Sequence, residues 1–180
     1  MVTGFNIPNN TVRSIVNGAS DQSKQYHSIV FVLSATEYKN TWDDWRLVPS
    51  SRPLVEPAPV NTSYGELLGG DGLIDFTTSL TGSPTYGNRS GSWDFIVVNS
   101  YQITGVGAQA TWASRFSSVL NFLHGKYFER IILLDDPTNF YSGRLAVDEW
   151  HSGKGNSTIR INYNLDPYKR QVTSTGTRKF

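Results

Sequence analysis

The sequence predicts a mainly β protein, an antiparallel β-sandwich with one packed α-helix. Three observations carry that expectation. Aromatics make up 13% of the chain and glycine occurs sixteen times, which suits pleated surfaces joined by tight turns. Several short β-branched or aromatic runs have strand length, and one stretch alone has convincing helical spacing. At 180 residues a single domain can bury roughly 70% of its unfolded surface. There is no cysteine, so disulfides and thiolate metal sites are excluded. The net charge of +1, with 17% charged residues, is no footprint for a dedicated nucleic-acid binder. The longest apolar runs, SIVFVL and IILL, are too short to span a bilayer. MVTGFNIPNN lacks the basic and apolar regions of a signal peptide, so the chain is expected to be made and kept inside a cell.

In chain order, residues 1–25 are polar with an Asn17-Gly18 turn signal, and read as an N-terminal arm or loose hairpin. Residues 26–180 form one β-rich domain. It opens with YHSIVFVLS (Tyr26–Ser34), a buried strand. Thr41–Val60 carries Pro49, Pro53, Pro57 and Pro59. Prolines so close cannot share a ladder, so this segment is extended over a surface. The helix falls at Thr111–His124: Trp112, Phe116, Val119, Leu120 and Leu123 line one face, Thr111 caps the start and Gly125 the end. KYFERIILLDD is a strand entering a turn at Asp135-Asp136-Pro137, and GRLAVDEW (Gly143–Trp150) is another strand. In STIRINYNL (Ser157–Leu165), Ile159, Ile161, Tyr163 and Leu165 alternate with polar residues, as on a sheet with one wet face.

Chemical motifs are present but lack context. GVGAQA (Gly105–Ala110) matches a dinucleotide-binding fingerprint, yet SYQIT intervenes after the strand WDFIVV, and no alternating strands and helices follow. Asp43-Asp44 and Asp135-Asp136 read as turn and capping acids. His27, His124 and His151 have no metal-ligand spacing, though His124 closes the helix where a cation suits the dipole. No G-x-S-x-G occurs. The sequons at Asn9, Asn61, Asn88 and Asn156 carry no meaning without secretion. No catalytic, cofactor-binding or metal residues are therefore assigned, and an enzyme is not expected. Trp42, Trp45, Tyr64, Tyr101 and Trp150 could form an exposed sugar-binding platform or be used for core and subunit contacts.

The ordered blocks NTWDDWRLVPSSRP, GGDGLIDFTTSLTGSPTYGNR, NFLHGK, LLDDPTNFYSGRLAVDEWHSGKGNSTIRI and DPYK resemble the distal tail protein family of long-tailed bacteriophages, over roughly Asn40 to Lys169. The resemblance implies a tail-tube-like β-sandwich with a helix. Its copies would form a homo-hexameric ring at the distal end of the tail, a virion structural protein made in the bacterial host cytoplasm. The expected partners are the tail tube protein and the tail-tip or baseplate hub proteins, with DNA passing transiently through the lumen and no membrane contact. Two departures stand out. The chain before Tyr26 is longer than the usual family start, and little follows DPYK, so an appended lectin-like domain is not expected. A monomeric carbohydrate-binding module is the alternative.

Within GGDGLIDFTTSLTGSPTYGNRSGSWDF, Asp75 and Arg89 lie equally far from Gly82. Reversal at TGSP would bring them together as a staple, with Tyr86 and Trp93 packed beside it. The proline-rich Val48–Val60 segment and the N-terminal arm are expected to lie across neighbouring subunits.

Overall fold

A computed structural model describes residues 7–66, 69–79, 81–98, 108–153 and 157–172, with side chains in the helix described from residue 113 onward. In chain order the elements are α1 (Asn9–Asn17), α2 (Asp21–Gln25), β1 (Ile29–Val32), β2 (Tyr38–Asn40), β3 (Leu47–Pro49), β4 (Val60–Asn61), β5 (Tyr64–Glu66), β6 (Leu73–Asp75), β7 (Thr85–Tyr86), β8 (Arg89–Val97), α3 (Ala108–Leu123), β9 (Tyr127–Leu133), β10 (Asn139–Ser152), β11 (Ser157–Leu165) and β12 (Arg170–Gln171). The main sheet runs β2-β1-β9-β10-β11-β8-β3, with β12 beside β10. Its pairings are antiparallel.

The sheet rolls on itself. Phe31 on β1 and Trp93 on β8 have ring centroids 6.5 Å apart, although four strand steps separate them, about 19 Å if the sheet were flat. The edge strands β2 and β3 are joined by Thr41–Arg46 alone. This segment coils into a compact turn, Asp44 N donating to Asn40 O and Arg46 N to Trp42 O, and Leu47 N reaches Thr41 O at 2.8 Å. Trp45 on that turn is 1% exposed. Its ring lies 6.3 Å from Phe31 and 5.6 Å from Phe122, and its indole N–H reaches Ser118 Oγ on α3 at 3.1 Å. The two halves therefore face each other across one aromatic core, closed at one end by Val119, Phe122 and Leu123 of α3.

Two bulges keep the core continuous. On β9 the register against β10 passes from Ile131 to Phe128 while β10 passes from Tyr141 to Gly143. The extra β9 residue lets both Phe128 and Ile131 face the main core while Arg130 and Ile132 face the other side. On β10, Asp148 and Glu149 together oppose Arg160. Val147 and Trp150 consequently both pack on the core, and Arg160 bridges Asp94 at 2.7 Å and Glu149 at 3.0 Å on the outer face.

The helix begins at Ala108, so Thr111 lies within its first turns and is not the cap. Gly125 takes the expected left-handed conformation, at φ 73°. Residues 1–25 differ more from expectation. From Ile7 the chain is neither an arm nor a hairpin: α1 and α2 lie on the back of the sheet. Val12, Ile15 and Val16 of α1 pack with Val30, Val32, Ile132, Leu134 and Phe140 in a second core. The cause is legible afterwards: Val12, Ile15, Val16 and Ala19 recur at helical spacing, and Ser20 caps α2 by accepting from Ser23 N. β1 is thus covered on both faces, which accounts for its unbroken apolar run.

Arg130 fastens this back layer. It is 1% exposed and donates to Ile7 O at 2.8 Å, to Asn9 Oδ1 at 3.0 Å and to Val172 O at 3.5 Å, with its guanidinium 4.6 Å from the Phe140 ring centroid. Burial pulls its pKa below the ordinary arginine value, and Glu129 opposes that. Arg130→Met leaves these acceptors without their cation and is expected to cost about 3 kcal/mol or more. Denaturant titration reads the loss, and hydrogen exchange should quicken first in residues 9–25 and 170–172.

A candidate assembly surface

Of the expected extended segment Thr41–Val60, only residues 51–59 run free of regular secondary structure: Thr41–Arg46 coils into the buried turn, and Leu47–Pro49 joins the main sheet, Pro49 pairing with Phe95 at its edge. The strap of residues 51–59 is held along its own sheet by hydrogen bonds. Ser50 N donates to Asp94 O at 2.8 Å, and Gly87 N to Pro59 O at 2.8 Å. Trp93 Nε1 donates to Leu54 O at 2.7 Å, and Glu56 N to the Tyr163 hydroxyl at 3.0 Å. A strap with three prolines among nine residues has few amides to offer, so the sheet's side chains supply much of its bonding. Tyr163 reaches the strap because its ring lies flat over Gly91 in the facing strand: a Cβ there would meet the hydroxyl oxygen at 2.4 Å. Burial, first among several causes, raises the Tyr163 pKa above the ordinary tyrosine value, so it stays a neutral donor and acceptor.

Arg89 also serves the strap. It donates to Glu56 O at 2.9 Å and to Pro167 O at 2.8 Å. The expected Asp75–Arg89 staple is not formed. Register decides this: Asp75 pairs with Tyr64, whereas Arg89 pairs with Leu165. The chain reverses between Glu66 and Leu73 and not at TGSP, although Gly82 does hold a positive φ of 69°. Asp75 instead accepts from Thr77 N at 2.8 Å, and its hydrogen bonds to Thr77 hold the carboxyl below its ordinary range. Trp93 is buried, but Tyr86 is exposed, with its ring 6.5 Å from Tyr168.

Beyond the strap, two short antiparallel pairs project from the sheet, Val60–Asn61 with Thr85–Tyr86 and Tyr64–Glu66 with Leu73–Asp75. Among the described residues they belong to no larger sheet. Phe76 lies across Gly65, where a Cβ would meet its ring at 2.7 Å, and Phe76 N bonds Ser63 O at 2.7 Å. Val60, Tyr64, Leu73, Ile74, Phe76 and Tyr86 are all exposed, Leu73 at 63% and Tyr64 at 56%. From Pro53 to Asn88 the chain has the acids Glu56, Glu66, Asp71 and Asp75 and no Lys, Arg or His. The ribbon is therefore apolar, acidic and open at its strand edges, a surface suited to pairing with another chain. The glycine-rich composition marked this stretch, but its exposure was not legible.

The remaining candidates fall into structural roles. Asp43 accepts from Ser20 N and Asn40 Nδ2, and Asp44 from Asn40 N and Lys39 Nζ. Asp136 accepts from Thr138, Asn139 and Lys169. Among the described residues no three His, Cys, Asp or Glu side chains converge as metal ligands would. His124 Nδ1 accepts from Val147 N at 3.2 Å, tying the end of α3 to β10; His151 meets Glu149 at the surface. Trp42 and Trp45 are buried and Trp150 is half-buried against Phe116, so a five-ring sugar platform does not form. Tyr101 and Gly105–Gly107 lie outside the described residues. No helix among the described residues is long and apolar enough to cross a membrane.

No protein-family model matches the chain, and no curated protein matches it. Among solved structures it is similar to the Dit (gp 19.1) protein of phage SPP1, described as a paradigm of the hub adsorption apparatus in phages infecting Gram-positive bacteria. The TM-score is 0.53 at 18% identity, over 78% of this chain and 51% of that one. The chain thus spans about half the length of the protein it matches. At that identity the likeness is one of fold, a mainly antiparallel β architecture.

Two measurements test the site's chemistry. Gly91→Ala is expected to cost roughly 1–3 kcal/mol by forcing Tyr163 off its seat, whereas Tyr163→Phe should lose about 1 kcal/mol; both should speed exchange of the Glu56 amide. Asp135 gives the pH dependence. Burial pushes its carboxyl up, but His27 at 2.6 Å and Arg52 at 2.8 Å outweigh that and hold the pKa below the ordinary value. A depressed folded pKa contributes stability above the unfolded value, lost as pH falls through the folded one. Asp135→Asn should therefore flatten the acid limb of a melting-temperature profile below about pH 4.

Proposed function

We propose that this chain is a structural protein of a phage tail, a distal-tail-type subunit. Its copies form a ring, of six by family likeness, between the tail tube and the tail-tip or baseplate proteins. The single observation that carries self-assembly is the ribbon of residues 60–86, with six large apolar side chains exposed, five of them on strands that have no further partner among the described residues. An isolated two-stranded ribbon is marginal in water, and an apolar face of this kind gains by burial against another chain. The fold likeness to the phage Dit protein supports the placement in a tail. Head-to-tail contacts close into a ring when the rotation between copies divides a full turn. The near-neutral chain, at +1, suits a wall past which DNA moves without being held. In this reading the protein resides in the virion and needs no catalytic residue, cofactor or metal. The carbohydrate-module reading loses support because Trp42 and Trp45 serve the core.

Negative-stain electron microscopy and light scattering of the purified protein test the reading. Rings, or a mass of several copies, are expected. Val60→Ser with Leu73→Ser should lower assembly at least tenfold while leaving the melting temperature of the fold within a few degrees, since both side chains are already exposed. A protein that stays monomeric at high concentration, and forms no ring in the particle that contains it, would overturn the proposal.

A further inference from the structure

We infer that the cleft behind the sheet, beside α1, is the seat for the acidic apolar ribbon of a second copy of this chain. The inference rests on the assembly proposed above and names the surface that receives the ribbon. The cleft has a volume of about 700 Å³ and lies between α1, α2, the β9–β10 turn and β12. Val16, Leu134, Pro137 and Val172 give it apolar walls, and Arg13 and Lys24 stand on its rim. Among the described residues no carboxylate lies within ion-pair distance of Arg13, and Lys24 meets only the fully exposed Asp21, at 4.0 Å. Both cations are thus available to an incoming acid.

Charge selects the occupant. The ribbon brings Glu66 and Asp71 beside Tyr64, Leu73 and Ile74, with no base anywhere from Pro53 to Asn88. Its apolar side chains match the walls and its acids match the rim. The cleft on the other side of α1, about 420 Å³, is bordered by Asp43 and Asp44 and has the wrong sign for the same ribbon. The segment following Val172 carries Arg178 and Lys179 as its charged side chains, the same sign as the rim, so it is a poorer occupant. Complementary potentials of this kind fix which surfaces meet and speed their encounter. Because ribbon and cleft are different surfaces, the contact is head-to-tail, the geometry a ring requires.

The chain has no cysteine, which permits a clean cross-linking test. Thr138→Cys protein and Leu73→Cys protein, each with a different tag, are mixed at assembling concentration and treated with a short bismaleimide. A product linking the two tags, formed only in the mixture, is expected. In parallel, the double variant Arg13→Glu/Lys24→Glu should weaken assembly at least tenfold by sedimentation velocity. Adding Glu66→Lys/Asp71→Lys in the same chain should recover most of that loss. Rings that persist with neither cross-link nor charge dependence would overturn this inference and leave the assembly reading standing. Protection of Thr138→Cys from maleimide in the assembled state without a link to Leu73→Cys would mean another segment fills the cleft, and would also overturn it. Protein that never assembles would remove both.

Discussion

The six residues from Thr41 to Arg46 separate strands at opposite edges of the main sheet, and that length obliges the sheet to roll. A flat sheet of seven strands would hold β2 and β3 far beyond the reach of so short a link. Once the link is a compact turn, the inner faces of β1 and β8 must meet, and the aromatic rings of Phe31, Trp45, Trp93 and Phe128 fill the space between them. Trp45 is both part of the link and part of the filling, and its bond to Ser118 brings α3 to the open end. The turn is held at a local cost, since Arg46 sits at a positive φ of 55°. Its guanidinium returns to the turn, 5.0 Å from the Trp42 ring centroid.

A rolled sheet has an outside that must also be covered or made polar. Over β8, β11 and β10 it is polar, with Arg160 held between acids from both neighbouring strands. Over β1 and β9 it is apolar and is covered by α1 with Ile7 and Ala19. The bulge in β9 lies where these two solutions meet, and turns Arg130 from the core side to the helical side. A buried guanidinium is tolerable there because backbone carbonyls from both ends of the described chain converge on it.

Period-2 patterning made β11 readable residue by residue, because no bulge interrupts its pairing with β8. β9 and β10 were readable as strands, but not in their facing, since one extra residue in each reverses the alternation. The helix α1 was missed because its apolar residues are only Val12, Ile15 and Val16, and α2 because DQSKQ has none; the stability of α1 comes from the sheet it covers. The glycine-rich stretch Gly69–Phe95 misled for a different reason: distance along the chain from Gly82 implied a meeting of Asp75 and Arg89, while strand register set their real partners. The acids at Asp43-Asp44 and Asp135-Asp136 were legible as turn residues because their chemistry is local. The exposed ribbon was not, because the same side chains would be unremarkable in a core.

The convergence of Ile7 and Val172 on one guanidinium has a practical side. Ile7 and Val172 lie side by side on the helical back of the molecule, so one side chain holds both ends of the described chain. A reporter dye attached beside Ile7 or Val172 would therefore crowd that face, whereas one beside Arg160 on the polar outer face stays clear of it.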